Sequence, residues 1–256
     1  MVFRDMVVIV TGASSGIGAA IAIKFAEQGA NVVLVARNQA RLKEVAAKCC
    51  SHGVKYCIII ANVTKKDDIK RIVATTVERF GKIDVLVNSA GVGGTAAIWD
   101  PNAMEVYDKT MATNLRSVVY LTNLAAPHLI NTEGNIVNIS SAFAVDILPE
   151  HFAYCTSKAG LDHFTRSAAL DLAPKGVRVN SVNPGPVKTN FVQSLDKNKT
   201  EQRDLWSKLE AMTALGRISD PEEIADLVLF LASDKAKAIT GSSYITDNGA
   251  LLKKGT

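Results

Sequence analysis

Tyr154 and Lys158 stand four residues apart in Tyr154-Cys155-Thr156-Ser157-Lys158. On a helix that spacing puts both side chains on one face. A tyrosine with a pKa near 10 is a poor base at neutral pH. An ammonium beside it favours the phenolate and moves the hydroxyl toward the range useful for general acid–base catalysis. A second stretch with chemical meaning is Thr11-Gly12-Ala13-Ser14-Ser15-Gly16-Ile17-Gly18. Here the chain must turn tightly, bring its backbone against a pyrophosphate and start a helix close to a sheet, and glycine permits each step. The helix N-terminus then offers N–H groups and a positive dipole end to phosphates. The four cysteines (Cys49, Cys50, Cys57 and Cys155) have neither CxxC nor zinc-finger spacing. Free thiols and no metal site are expected of them.

The elements that must position these residues alternate along the chain. Val7–Val10, Asn31–Ala36, Tyr56–Ile60, Val85–Asn88, Asn135–Ser140, Val177–Val182 and Ser243–Thr246 read as strands. They are nearly continuous in apolar residues, as suits strands buried on both faces of a parallel sheet. Between them lie helical patterns. Ile17, Ile21 and Phe25 recur every four residues before Gly29; Leu115, Val119, Leu121, Leu124 and Ala125 form another stripe; Tyr154–Leu172 and Glu222–Leu231 are two more. This series predicts an α/β fold: a single Rossmann-type, doubly wound parallel sheet of about seven strands with helices on both faces. Nothing divides the chain, so 1–256 reads as one dinucleotide-binding and catalytic domain. The weakly patterned stretch 190–217 reads as a region covering the substrate.

Of the 256 residues 48% are hydrophobic and 21% charged, and the net charge is +4. Such a chain buries enough apolar surface to fold, and its mild, scattered positive charge does not resemble a nucleic-acid binder. No apolar run approaches the roughly 18 residues needed to span a bilayer. The N-terminus lacks the pattern of a signal peptide, so neither nucleic acid nor membrane is expected as a partner, and a cytoplasmic location is expected.

The glycine spacing G-x3-G-x-G after Thr11 resembles that of the short-chain dehydrogenase/reductase family, and the resemblance runs from Val7 to about Gly249. It implies that Thr11, Gly12, Ser14, Ser15, Gly16 and Gly18 serve the cofactor, with Ile17 near the nicotinamide ring. Asn88-Ser89-Ala90-Gly91 is similar to the family's N-N-A-G element, so Asn88, Ala90 and Gly91 are expected at the cofactor cleft. Asn62-Val63 stands where Asp-Val is usual beside the adenine, and the amide oxygen of Asn62 is expected to accept from the adenine amino group. Pro184-Gly185-Pro186-Val187-Lys188-Thr189 resembles the P-G-x-x-x-T element, which implies that Thr189 and the Val187 backbone bind the carboxamide, with Pro184 and Gly185 beside them. The resemblance also adds Ser141, to hold a substrate carbonyl, and Asn114, to hold a water between Lys158 and solvent. With Tyr154 and Lys158 these complete a catalytic tetrad, Lys158 also holding the nicotinamide ribose.

The cofactor is expected to be NADP(H). NAD-users place an acid about twenty residues after the glycines for the ribose 2′-hydroxyl; here Ala36 occupies that place and Arg37 follows. A guanidinium there pairs with a 2′-phosphate. The expected reaction is hydride transfer between nicotinamide and a carbonyl or secondary alcohol. Phe143, Val145, Leu148, His151, Phe191, Trp206 and Met212 are candidate walls for a lipophilic ketone, steroid- or isoprenoid-like. A 3-oxoacyl thioester reductase is the alternative enzyme, and an NADP-binding sensor or scaffold the non-enzyme alternative. The resemblance further implies a homotetramer assembled through the helices starting near Met104 and Tyr154 and through the C-terminal strand.

Overall fold

The computed structural model describes residues 1–189 and 206–253. Seven strands are present: β1 (Val7–Thr11), β2 (Asn31–Ala36), β3 (Tyr56–Ile60), β4 (Val85–Asn88), β5 (Asn135–Ile139), β6 (Arg178–Pro184) and β7 (Ser243–Thr246). They form one parallel sheet in the order β3-β2-β1-β4-β5-β6-β7. Among the described residues seven helices of eight or more residues flank it: α1 (Gly16–Glu27), α2 (Gln39–Cys50), α3 (Lys66–Phe80), α4 (Ala103–Met111), α5 (Ser117–Asn131), α6 (Phe152–Leu172) and α7 (Pro221–Ala232).

All five residues of β1 are buried. Successive side chains leave the strand on opposite faces, so Val8 and Val10 join the core under α1, α2 and α7, with Ile21, Phe25, Leu42 and Val228. Val7 and Ile9 join the other core, under α3, α5 and α6, with Ile72, Leu121 and Ala168. The chain leaves β1 toward β2 and β3, then returns to place β4 on the other side. The strand order therefore reverses between β1 and β4, and a crevice opens outside their carboxyl ends, where open α/β sheets bind ligands.

One stripe read from the sequence is displaced. Val118 is buried and Val119 exposed on α5, and Leu115 is only half-buried. A π turn spans Ala112–Arg116 between α4 and α5. Its extra residue rotates everything after it about the helix axis. The strand assigned to Val177–Val182 starts at Arg178 and runs on to Pro184, carrying the sheet to the edge of the crevice. Among the described residues no helix is long and apolar enough to cross a membrane.

Candidate active site

A cleft of about 1350 Å³ lies at this crevice. One end is the glycine loop. Gly12 has φ +71°, and a Cβ on Gly18 would stand 2.5 Å from the Gly12 carbonyl oxygen, so no larger residue fits between loop and helix. Ser15, extended at the N-cap of α1, makes no side-chain capping bond, and the first turn holds no acid. The amino end of α1 therefore turns N–H groups and its positive pole to the cleft. Ser14, Ser15, Gly16, Ile17 and Gly18 all line the cleft.

Thr11 and Asn88 lie behind the wall, not on it. The Thr11 hydroxyl accepts from the N–H groups of Ser89 (3.0 Å) and Ala90 (3.1 Å), tying the end of β4 to β1. Asn88 donates to Asn138 (2.9 Å), which donates to Thr165 on α6 (2.9 Å). Both expected cofactor ligands act here as ties that hold Ala90 and Gly91 at the surface of the cleft. Asn88 is thereby fixed to β5 and α6, the two elements beside the reacting groups.

At the far end Ala36, Arg37, Asn62 and Val63 line the cleft as expected, and Arg41 joins them. Sequence reading missed Arg41. The Asn38 side chain caps α2 by accepting from the Arg41 N–H (3.1 Å), so the first turn of α2 brings this second guanidinium beside the first. The visible signal was an N-capping Asn followed three residues later by a cation. Asn62 differs from expectation. Its side-chain oxygen already accepts from the Thr64 N–H (3.1 Å) and hydroxyl (3.0 Å). With both lone pairs engaged, what it has left to present to an adenine is its amide N–H donors.

On the other side of the cleft stand Ser141, Tyr154 and Lys158. Tyr154 sits in the first turn of α6, at the positive end of that helix. Ser141 hydrogen-bonds the phenol, and its hydroxyl also accepts from the Phe143 N–H at 3.2 Å. Lys158 is 5% exposed and donates from Nζ to the Ile139 carbonyl at the end of β5, at 2.8 Å. Burial draws its ammonium down to about 8, with the charge of Asp162 opposing. Burial pushes the Tyr154 phenol above its ordinary value, and the Ser141 hydrogen bond only partly offsets this. The expected depression of the phenol by Lys158 is therefore absent from this arrangement. Nζ is engaged by the strand carbonyl and stands 5.6 Å from the centre of the tyrosine ring.

Asn114 lies in the π turn, 1% exposed and behind the cleft wall. Its oxygen accepts from Val92 N–H (2.9 Å), and its amide donates to Val92 carbonyl (2.9 Å) and Ser157 hydroxyl (3.0 Å). It thus clamps the loop after β4 to α6. A Cβ on Gly91 would lie 3.6 Å from Asn114 Oδ1 and 3.8 Å from Lys158 Nζ, so both groups border the same small space.

Past β6, Pro184, Gly185, Val187 and Thr189 line the cleft. Val187 pairs with Ser219, with bonds from Lys188 N–H to Ser219 carbonyl (2.9 Å) and from Ser219 N–H to Pro186 carbonyl (3.2 Å). That parallel pairing leaves the N–H and carbonyl of Val187 itself turned away from Ser219. Among the candidate walls, Phe143, Leu148, His151 and Met212 line the cleft, with Leu209 added. Trp206 and Val145 do not. Trp206 is half-buried in the helical residues 206–211, which turn Lys208 and Leu209 to the cleft instead, with Met212 just after them. Val145 is 63% exposed. Phe191 lies outside the described residues.

The dinucleotide implied by these motifs fits the residues present. The uncapped helix terminus could take a phosphate, the two guanidinium groups line the end where a ribose would lie, and the Val187 backbone groups turned away from Ser219 could take a carboxamide. Residues 12–250 match the sequence profile described as enoyl-(acyl carrier protein) reductase. The chain is 34% identical to a 3-oxoacyl-[acyl-carrier-protein] reductase of Thermotoga maritima over 98% of this chain and 100% of that one.

The chain belongs to the short-chain dehydrogenase/reductase family.

It is therefore an oxidoreductase of a family that uses nicotinamide cofactors. An NAD-dependent glycerol dehydrogenase of Listeria innocua is 37% identical, over 97% of this chain and 95% of its own. A crystal structure of a short-chain dehydrogenase/reductase of unknown function from Caenorhabditis elegans, with cofactor, superposes with a TM-score of 0.94 at 37% identity, covering 100% of this chain and 98% of that one. The Rossmann-type fold expected from the alternating strands and helices is the fold of these relatives.

Proposed function

We propose that this member of the family is an NADP(H)-dependent carbonyl reductase acting on a lipophilic ketone. The observation that carries the reading is Tyr154, set beside Ser141 and Lys158 on one wall of the cleft. Its phenol is held protonated by burial at the head of α6, hydrogen-bonded by Ser141. A protonated phenol is the group needed to give a proton to a carbonyl oxygen as that oxygen gains charge. Ser141 supplies the second hydrogen bond to the same oxygen. The bound cofactor supplies the hydride. Lys158 binds the nicotinamide ribose and keeps a positive charge beside the reacting groups. Asn114 holds the water through which Lys158 exchanges protons with solvent.

Arg37 and Arg41 support NADP(H). Among the described residues these two guanidinium groups meet no acid, and the pair at the ribose end suits a 2′-phosphate, while Ala36 leaves a 2′-hydroxyl without an acid. Val92, Phe143, Leu148, Leu209 and Met212 give the substrate end an apolar wall. The Thermotoga maritima relative favours a second reading, reduction of a 3-oxoacyl thioester. Exposed Val119 on α5, Leu170 on α6 and Ile245 on β7 support assembly as a homotetramer through these elements.

The test is a panel of ketones, a 3-oxoacyl thioester and glycerol, run with NADPH and NADH in parallel. NADPH oxidation by cyclic or long-chain ketones is expected to lead. Preference for the thioester would select the second reading, and a preference for NADH would refute the role of the two arginines. Changing Ala36→Asp together with Arg37→Ala should move preference toward NADH by about 100-fold or more, the effect of losing charge-assisted bonds of about 1.5–3 kcal/mol while adding one to the 2′-hydroxyl.

A further inference from the structure

One helical turn beyond Lys158 on α6 stands Asp162, 4% exposed and outside the cleft. Its carboxylate is directed at β6. One oxygen accepts from Asn183 Nδ2 at 2.6 Å and the other from the Ser181 hydroxyl at 3.2 Å. The same Asn183 amide donates to the main-chain carbonyl of Ser141 at 3.1 Å. Ser181 and Asn183 are fully buried. An ionised carboxylate in such surroundings persists only with hydrogen bonds and a compensating charge.

The charges around Lys158 identify that compensation. Tyr154 and Cys155 share its helix. Across the cleft lie Asp146 and His151 from the β5–α6 connection, Lys109 from α4 and Lys208 from the helix at 206–211; Arg37 and Arg41 stand at the other end. Among the described residues, Asp162 is the acid whose charge acts on the Lys158 ammonium. We propose that Asp162 is a positioning residue with two functions: it is the buried counter-charge of Lys158, and through Asn183 it fixes the Ser141 main chain against the helix that carries Tyr154. Three elements, α6, β6 and the end of β5, are thereby locked around the reacting groups by one carboxylate.

This inference rests on the assignment of Ser141 and Lys158 as working groups. Its test uses the protein alone, without substrate, so a failure of the ketone reading leaves it standing. In protein labelled with ¹³C-lysine, the Lys158 signal is identified by its loss in Lys158→Arg, and its titration is followed by NMR. The wild-type midpoint is expected at about 8. Asp162→Asn keeps an oxygen for Asn183 and removes the charge, so the midpoint should fall by about one unit. An unmoved midpoint in the folded variant overturns the counter-charge. Should Asp162→Asn fail to fold, wild-type protein labelled with ¹³C-aspartate decides: the Asp162 carboxyl signal should show a step at the Lys158 midpoint, and its absence overturns the pairing. The tie is read separately. The Ala144 N–H donates to the Ser141 carbonyl at 2.9 Å. Its hydrogen exchange should quicken about tenfold in Asp162→Ala, which removes the hydrogen-bonded anchor, worth one to two kcal/mol, and change little in Asp162→Asn. Equal exchange in wild type and Asp162→Ala refutes the tie.

Discussion

The two halves of the sheet are built from different materials. In β1, β2 and β4 the interior is Val, Ile and Leu, two cores thick, and the only functional side chains sit at the strand ends. In β5 and β6 the interior carries Asn135, Asn138, Asn180, Ser181 and Asn183, all at 3% exposure or less. The first half needs only to present backbone: a glycine loop and a helix terminus. Burial of apolar surface is enough to hold those. The second half must hold side chains in register across three elements, and dispersion is not directional. Hydrogen bonds are, which is why Asn138 and Thr165, or Asn183 and Asp162, stand there in place of aliphatic residues.

Substitutions should separate the halves by what they damage. The largest effect is expected at Tyr154→Phe: turnover should fall by roughly 10²- to 10⁴-fold, the ordinary contribution of a positioned acid, while NADPH binding by fluorescence titration is retained. Retained turnover would refute Tyr154 as the proton donor. Next comes Leu86→Ala in the fully buried β4. Urea unfolding should show a loss of about 2–5 kcal/mol, with the kinetics of the surviving folded fraction unchanged. A smaller stability cost is expected for Asn138→Leu, about 1–3 kcal/mol, chiefly from the Asn88 amide left without its acceptor. Unlike Leu86→Ala, it should also lower kcat, because Thr165 belongs to the helix of Tyr154 and Lys158. A pure stability effect at Asn138 would erase the contrast between the halves.

The smallest effect is in pH. Lys158 binds its proton with a pKa of about 8 in the fold against 10.5 unfolded. Between these values the unfolded chain carries more protons, so rising pH favours the folded protein, by about 1 kcal/mol between pH 8 and 9. Cys49, buried in the apolar half, works in the opposite sense: its thiol is pushed up to about 12 from 9.0, so stability is lost as pH rises above 9. Urea midpoints should therefore peak between about pH 9 and 10 in the wild type and at a higher pH in Cys49→Ala. A wild-type midpoint flat from pH 8 to 9 would contradict the buried ammonium.

The apolar half was the more legible. Continuous β-branched runs signalled buried parallel strands, and β2, β3 and β4 lie where the pattern placed them. Glycines at fixed spacing declared the loop because a Cβ on Gly18 has nowhere to go. Tyr154 and Lys158 were visible because one helix carries both, and helical spacing is local. Less was legible where contacts cross elements. The π turn at Ala112–Arg116 has no period of its own, so the stripe on α5 was read with the wrong phase. Thr11, Asn88 and Asn114 do not reach the surface of the cleft; their hydrogen bonds hold its wall in place through partners between 22 and 79 residues away in sequence.

By itself the sequence determined the alternation of strand and helix, the glycine loop and the tyrosine–lysine pair, since each depends on spacing within a few residues. Tertiary structure decided what surrounds them. Bringing β6 beside β5 gives Asp162 and Asn183 their connection to Ser141. Burial against the end of β5 sets Lys158 near 8 and turns its Nζ to Ile139. The first turn of α2 adds Arg41 to Arg37. Proton affinity and hydrogen-bond partnership depend on the dielectric and on distances between segments far apart in the chain, and only the folded sheet fixes those.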